Sequence, residues 1–235
     1  MEAILLAGGL GTRLHAVTGD HYPKCLAEVN QKPFIHYVVE LLKNEGVTHF
    51  IFAISHHAEL VREYIENHFP NLPCDFSYED KPKGTGGAIR QALDFVKDDF
   101  ALVLNADSYV EVNICDFVSF CREKKAKLGV VCTEVESIER FGAADIKDTQ
   151  LIGFHEKGRK GRGHINAGMY FIEKDLEILK RQPEKFSFEL EVLSSNTVNA
   201  FAYSVEGLFF DIGTPEDLDG ASRLVAQHEA LFGAK

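Results

Sequence analysis

The alternation of short apolar runs with amphipathic segments restricts this chain's fold more than any other feature. "EAILLA" (2–7) and "THFIFAIS" (48–55) are dense in aliphatic and aromatic residues, and "PFIHYVVELLKNEG" lies between them. In that piece Phe34, Val38, Leu41 and Leu42 recur at helical spacing, Pro33 suits a first turn and Gly46 a stop. The three pieces read as strand, helix and strand. "HAELVREYIENHF" then reads as a helix, "CDFSYE" as a strand, "GTGGAIRQALDFVK" as a glycine-opened helix and "FALVLNAD" as a buried strand ending on a carboxylate. This order predicts an α/β fold: a Rossmann-like mixed, mostly parallel sheet flanked by helices, with ligands beyond the carboxyl ends of its strands. After about residue 135 the pattern loosens. "LIGFHEKG", "INAGMYFI" and "AFAYSVEGLFFDIG" read as strands of a mixed extension, and "TPEDLDGASRLVAQHEALF" as a closing helix. No linker, low-complexity segment or repeat interrupts, so residues 1–235 are expected to form one domain with a sugar-sized cleft.

The first strand runs into Gly8, Gly9 and Gly11 and then Arg13. Glycines so close together keep a backbone bare for close approach, and the arginine points to an anion. The spacing excludes the dinucleotide fingerprint, because Leu14 stands where the third glycine belongs, and a Walker A loop, because no Gly-Lys-Ser/Thr ending follows. A strand, exposed N–H groups, Arg13 and Lys24 in "YPK" together suit a triphosphate; a plain turn with a surface arginine is the alternative for the loop alone.

Charge narrows the partners. A formal net charge of −11 argues against nucleic acids and anionic membranes, both of which reward basic surfaces. The opening residues have no basic stretch and too short an apolar run for a signal peptide, and no segment approaches ~20 apolar residues. The five cysteines include no C-x-x-C pair, which suits reduced thiols and a cytoplasmic protein.

Taken in order, "AGGLGTRL", "PK", "KGTGGAI", "LNADS", "HEK", "INAGMYFI" and "LFFDIGTPEDL" make the chain resemble the sugar-1-phosphate nucleotidyltransferases from Met1 to about Leu224. Its length, "KPFIHYVVELLKNEGV", "GTGGAIRQAL" and "FSFELEVL" look most like the D-glycero-α-D-manno-heptose 1-phosphate guanylyltransferases within that family. The expected fold is that of the nucleotide-diphospho-sugar transferases, without a carboxy-terminal β-helix domain. Three positions depart from the family pattern: Cys25 stands where proline is common, Ala106 where glycine is, and Lys81 where "EP" would suit a guanylyltransferase.

The resemblance implies that a sugar 1-phosphate oxygen attacks the α-phosphorus of a nucleoside triphosphate, GTP in this subfamily, and that pyrophosphate leaves. No covalent intermediate is required, so positioning and charge neutralisation carry the catalysis. Leu6, Ala7, Gly8, Gly9, Gly11, Thr12, Glu79, Gly84, Thr85, Gly86, Asn105 and Ala106 would contact the nucleotide, with Glu79 accepting from guanine. Arg13 would neutralise pyrophosphate and Lys24 would reach the α-phosphate. Asp107 and Asp211 would hold Mg²⁺. For the sugar phosphate the resemblance assigns Gly142, Glu156, Lys157 and Asn166. "EKGRKGRGH" is either a solvated loop or a flap over that phosphate.

Other readings make different demands. Another base and sugar pair would use the same motifs. A non-catalytic nucleotide-sugar sensor would be expected to have lost Arg13, Lys24 or an aspartate, and all are present. A nicotinamide enzyme would need the missing third glycine and an acid after the second strand, where "FAISHH" offers histidines.

Overall fold

The computed structural model describes residues 1–9, 11, 14, 22–155, 157–195 and 197–228. The first half alternates as the sequence predicts. Strands β1 (Glu2–Leu6), β4 (His49–Ile54), β5 (Cys74–Tyr78) and β6 (Phe100–Asn105) are joined through helices α1 (Phe34–Asn44), α2 (Ala58–His68) and α3 (Gly84–Ala92), and a small hairpin of β2 (Glu28–Val29) and β3 (Lys32–Pro33) precedes α1. Pro33 closes that hairpin immediately before the helix, and Gly46 ends the α1 turn with φ of 83°. The second half adds β7 (Ser108–Val110), α4 (Ile114–Glu123), β8 (Leu128–Val135), β9 (Ala143–Lys147), β10 (Gln150–His155), β11 (Gly163–Glu173), α5 (Glu177–Arg181), a π-helical turn at Glu189–Leu193, β12 (Ala200–Val205), β13 (Phe209–Asp211) and α6 (Pro215–Gln227).

The main sheet has the order β5-β4-β1-β6-β11-β8-β12-β10-β9. Strands β5, β4, β1 and β6 are parallel, and β8 and β12 form a second parallel pair; β11 and β10 run against their neighbours. The far edge folds back, because β9 pairs with β10 and also meets β11 at Ala143 and Ile165. From β1 the chain steps outward through β4 to β5 and then returns to place β6 on the other side of β1. That reversal opens a crevice at the carboxyl ends of β1 and β6, the usual ligand position in such sheets.

Both faces of the sheet are covered, which explains the nearly continuous apolar strands. Ala3 and Leu5 of β1, Phe50 and Phe52 of β4, and Leu102 and Leu104 of β6 pack with α1, α2, α4 and α6. Ile4, Ile51, Ala53, Ala101 and Val103 face the opposite way, toward α3, α5 and the π-helical turn. No described helix is long and apolar enough to cross a membrane.

One expected strand divides. "AFAYSVEGLFFDIG" supplies β12 to the main sheet, then β13 to a separate antiparallel ribbon with β7. Gly207 lies at the break, where a Cβ would fall 2.6 Å from the Glu111 carbonyl oxygen. The same crossing is fastened by Glu111 N–H to the Leu208 carbonyl at 2.8 Å and by Leu208 N–H to the Glu111 carboxylate at 3.1 Å. Glycine permits that close approach of two backbones.

Candidate active site

The crevice is built from strand ends. Leu6 is level with Ala53 on one side and Asn105 on the other. Beyond it, Ala7 N–H bonds the Ala53 carbonyl at 2.9 Å, and the Ser55 hydroxyl donates to the Gly8 carbonyl at 2.8 Å. A Cβ on Gly8 would lie 2.8 Å from that hydroxyl oxygen, whereas Gly9 is exposed with open space around it. Gly11 has φ of 62°, and a Cβ there would approach the Lys24 Cβ to 2.9 Å. The bare loop therefore lets Lys24 pass close beneath it. Thr12, Arg13 and Glu156 lie outside the described residues.

Lys24 begins a short helical turn after Pro23, and its Nζ donates to Oδ2 of Asp107 at 2.5 Å. Asp107 follows β6 through Ala106, whose N–H bonds the Leu6 carbonyl at 3.2 Å; Ala106 is buried. The β7–β13 ribbon then brings the second aspartate back: Asp211 pairs with Ser108, and Ile212 N–H reaches the Asp107 carbonyl at 3.1 Å. Burial pushes the Asp211 carboxyl up from its ordinary value; the Asp217 charge and, more weakly, Asp107 add to this, while Lys24 and Arg140 oppose it. No described side chain donates a hydrogen bond to Asp211. The Asp107 carboxylate also accepts from the Ser108 hydroxyl at 3.3 Å. Two carboxylates on adjoining strand ends, that of Asp211 with no described side-chain donor, beside a glycine loop fit Mg²⁺, which takes few protein ligands and fills its shell with water and phosphate oxygens.

Strand β11 carries a bulge between Asn166 and Tyr170. Gly168 lies in it with φ of 79°, where a Cβ would be 2.7 Å from Asn105 Nδ2, and its N–H donates to Asn166 Oδ1 at 3.0 Å. The bulge re-aims Asn166, a common use of such irregularities. Asn166 Nδ2 donates to the Tyr170 hydroxyl at 2.6 Å and to Glu189 Oε1 at 3.4 Å. Burial raises the Tyr170 phenol well above its ordinary pKa, with the Glu189 charge adding to it. Tyr170 and Glu189 line a small cavity with Leu6, Thr85 and Asn105, so they connect nucleotide and sugar candidates. Neither residue stands out in the sequence as a site candidate. Glu189 stands at the start of the π-helical turn, a non-local arrangement with no clear sequence signal.

The glycines of "GTGGA" have a packing role. Cβ atoms on Gly84 and Gly86 would lie 2.4 Å from the Phe186 carbonyl oxygen and 2.1 Å from its ring; on Gly87, 2.7 Å from the Glu184 carbonyl oxygen. Thr85 Oγ1 accepts from Phe188 N–H at 2.9 Å, and the Arg90 guanidinium donates to the carbonyls of Leu179, Gln182, Pro183 and Glu184. Helix α3 thereby fixes the segment that delivers Glu189. Glu79 follows β5; its Oε2 accepts from Lys83 N–H at 2.7 Å, and burial raises its carboxyl despite that bond.

Gly142 presents its carbonyl to Asn166 N–H at 3.1 Å, and a Cβ there would collide with the Phe154 ring at 2.3 Å. The cations of "EKGRKGRGH" separate into two groups. Arg159 pairs with Asp145 at 2.9 Å, Lys160 with Glu139 at 3.7 Å and Arg162 with Glu134 at 2.7 Å. Burial disfavours the Asp145 charge, but the His155 hydrogen bond and Arg159 outweigh it and hold the carboxyl below its ordinary value. Lys157 is exposed and has no ion pair among the described residues.

The chain is similar to known proteins over most of its length. The family model described as "Nucleotidyl transferase" matches residues 2–228. The chain is 38% identical over 220 residues to the D-glycero-alpha-D-manno-heptose 1-phosphate guanylyltransferase of Campylobacter jejuni, covering 92% of this chain and 96% of that protein. It is 32% identical over 225 residues to the enzyme of the same name from Aneurinibacillus thermoaerophilus, covering 95% and 97%. The crystal structure of HddC from Yersinia pseudotuberculosis complexed with GMP-PN superimposes with a TM-score of 0.85 at 36% identity, covering 95% of this chain and 98% of that one.

Proposed function

The chain belongs to the nucleotidyl transferase family, and within it we propose that it transfers GMP from GTP to D-glycero-α-D-manno-heptose 1-phosphate, releasing pyrophosphate. The observation that carries the reaction class is the meeting of Lys24 with Asp107, beside Asp211, at the mouth of the glycine loop. The choice of substrates is supported by the two heptose 1-phosphate guanylyltransferases and by the GMP-PN complex.

In this reading the exposed Gly9 backbone and Gly11 lie along the triphosphate, with Arg13 and Thr12 as further donors. Lys24 swings from Asp107 toward the α-phosphate when nucleotide enters, and its charge offsets the charge that develops as the bond to pyrophosphate breaks. Asp107 and Asp211 would hold Mg²⁺, which when bound supplies charge neutralisation at the phosphates. Glu79 has one oxygen committed to Lys83 N–H and uses the other for the guanine donors, while the bare Gly84–Gly86 backbone lies along the base or ribose. Asn166, with Glu156 and the Gly142 backbone, binds sugar hydroxyls; Glu189 and Tyr170 orient the Asn166 amide. Lys157, unpaired among the described residues, meets the sugar phosphate.

Phosphorus NMR of a reaction containing GTP, the heptose 1-phosphate and MgCl₂ tests this. A diphosphate diester and free pyrophosphate in equal amounts are expected. GDP with inorganic phosphate as the only products would instead mean hydrolysis.

A further inference from the structure

The turn joining β8 to β9 makes three consecutive attachments. Arg140 forms an ion pair with Oδ2 of Asp217 on α6. Phe141 meets Phe209 edge to face, with centroids 5.7 Å apart. Gly142 accepts Asn166 N–H. The first two grip the chain on either side of Asp211, and the third holds the strand that presents Asn166.

We propose that the Arg140–Asp217 ion pair is a positioning device that sets this sugar-facing turn against the ribbon carrying Asp211, so that the sugar 1-phosphate is presented in register with the nucleotide phosphates. The proposal rests on the transferase reading above.

Asp217 is well placed to be the fixed partner. The Thr214 hydroxyl donates to its Oδ2 at 2.8 Å, and its own N–H donates back to Thr214 Oγ1 at 3.3 Å, so it is locked into the first turn of α6. The Asp217 side chain is 14% exposed and that of Arg140 51%. Gly213 separates two like charges: a Cβ there would be 3.1 Å from Asp211 Oδ2 and 3.4 Å from Asp217 Oδ2. Arg140 pairs with Asp217 and offsets part of the repulsion between the two carboxylates. A half-exposed ion pair contributes little to global stability, so its loss should appear in substrate geometry and local opening.

The test compares Arg140→Ala, Arg140→Lys, Asp217→Ala and the double alanine variant. Arg140→Ala is expected to raise KM for the sugar 1-phosphate about three- to tenfold and to lower kcat, without altering GTP affinity measured alone or the thermal midpoint; the two alanine effects combine less than multiplicatively. Arg140→Lys should restore most of the loss. Amide hydrogen exchange provides an arm that needs no turnover, and it separates failure of this proposal from failure of the reaction assignment. In Arg140→Ala the amides of Asn166 and Ile212 should both exchange faster. A lowered thermal midpoint with unchanged KM and kcat, or faster exchange confined to residues 136–142, would overturn the proposal.

Discussion

Lys24 donates to Asp107 at 2.5 Å across 83 positions of sequence, and the glycine at position 11 is what lets the lysine backbone pass close enough to do so. The cation is thereby parked on a carboxylate of the same site. If it serves the α-phosphate during the reaction, Lys24→Ala should lower turnover by roughly 10²–10³-fold, as for loss of one preorganised donor at a developing charge. GTP affinity should fall much less, because the loop backbone is unchanged. Equal losses in affinity and turnover would make Lys24 a binding residue only.

Asp211 is held at a cost to the fold, since burial and Asp217 both disfavour its charge. Asp211→Asn should therefore abolish most activity, on the order of 10³-fold, while raising the thermal midpoint at neutral pH. Paired melting curves and turnover measurements check this. A destabilised Asn variant would mean that the carboxylate supports the fold instead.

The same shift gives a signed pH dependence. A carboxyl with a raised folded pKa takes up its proton above the ordinary value of 3.8, so activity should fall with decreasing pH at a midpoint above that value. The stability contribution has the opposite sense: tighter proton binding in the folded state favours folding at low pH, and that advantage is lost as pH rises through the folded pKa. Raising MgCl₂ should move the acid limb of activity downward, because metal and proton compete for the same oxygens. A limb that ignores MgCl₂ would contradict the assignment.

Lys157 and its basic neighbours should behave differently. Lys157→Ala is expected to raise KM for the sugar 1-phosphate about ten- to a hundredfold and to lower turnover, with nucleotide binding unaffected. Arg159, Lys160 and Arg162 already neutralise Asp145, Glu139 and Glu134. Changing those three together should have the smaller effect, seen mainly as altered salt dependence. The reverse ranking in steady-state kinetics would move the phosphate contact to the loop.

Much of this was legible because it is local. Apolar periodicity located β1, α1, β4 and β6, and the motifs placed Asp107 and Asp211 at strand ends. What the periodicity could not reveal depended on partners far away in sequence. "AFAYSVEGLFFDIG" looks like one strand until Glu111 crosses at Gly207, and the resulting ribbon is what brings Asp211 to Asp107. The glycines after Lys83 look like a ligand loop, yet their bareness also accommodates Phe186 from the segment that carries Glu189. The basic loop looks like a row of free cations because Glu134, Glu139 and Asp145 come from neighbouring strands and turns.

The most direct test is competition among GTP, ATP, UTP and CTP at equal concentration for D-glycero-α-D-manno-heptose 1-phosphate, with mannose 1-phosphate and glucose 1-phosphate as parallel acceptors and nucleotide sugars resolved by mass. The account predicts GDP-heptose as the main product and a higher kcat/KM for the heptose than for either hexose. A dominant UDP-, CDP- or ADP-sugar, or a preference for glucose 1-phosphate, would contradict it.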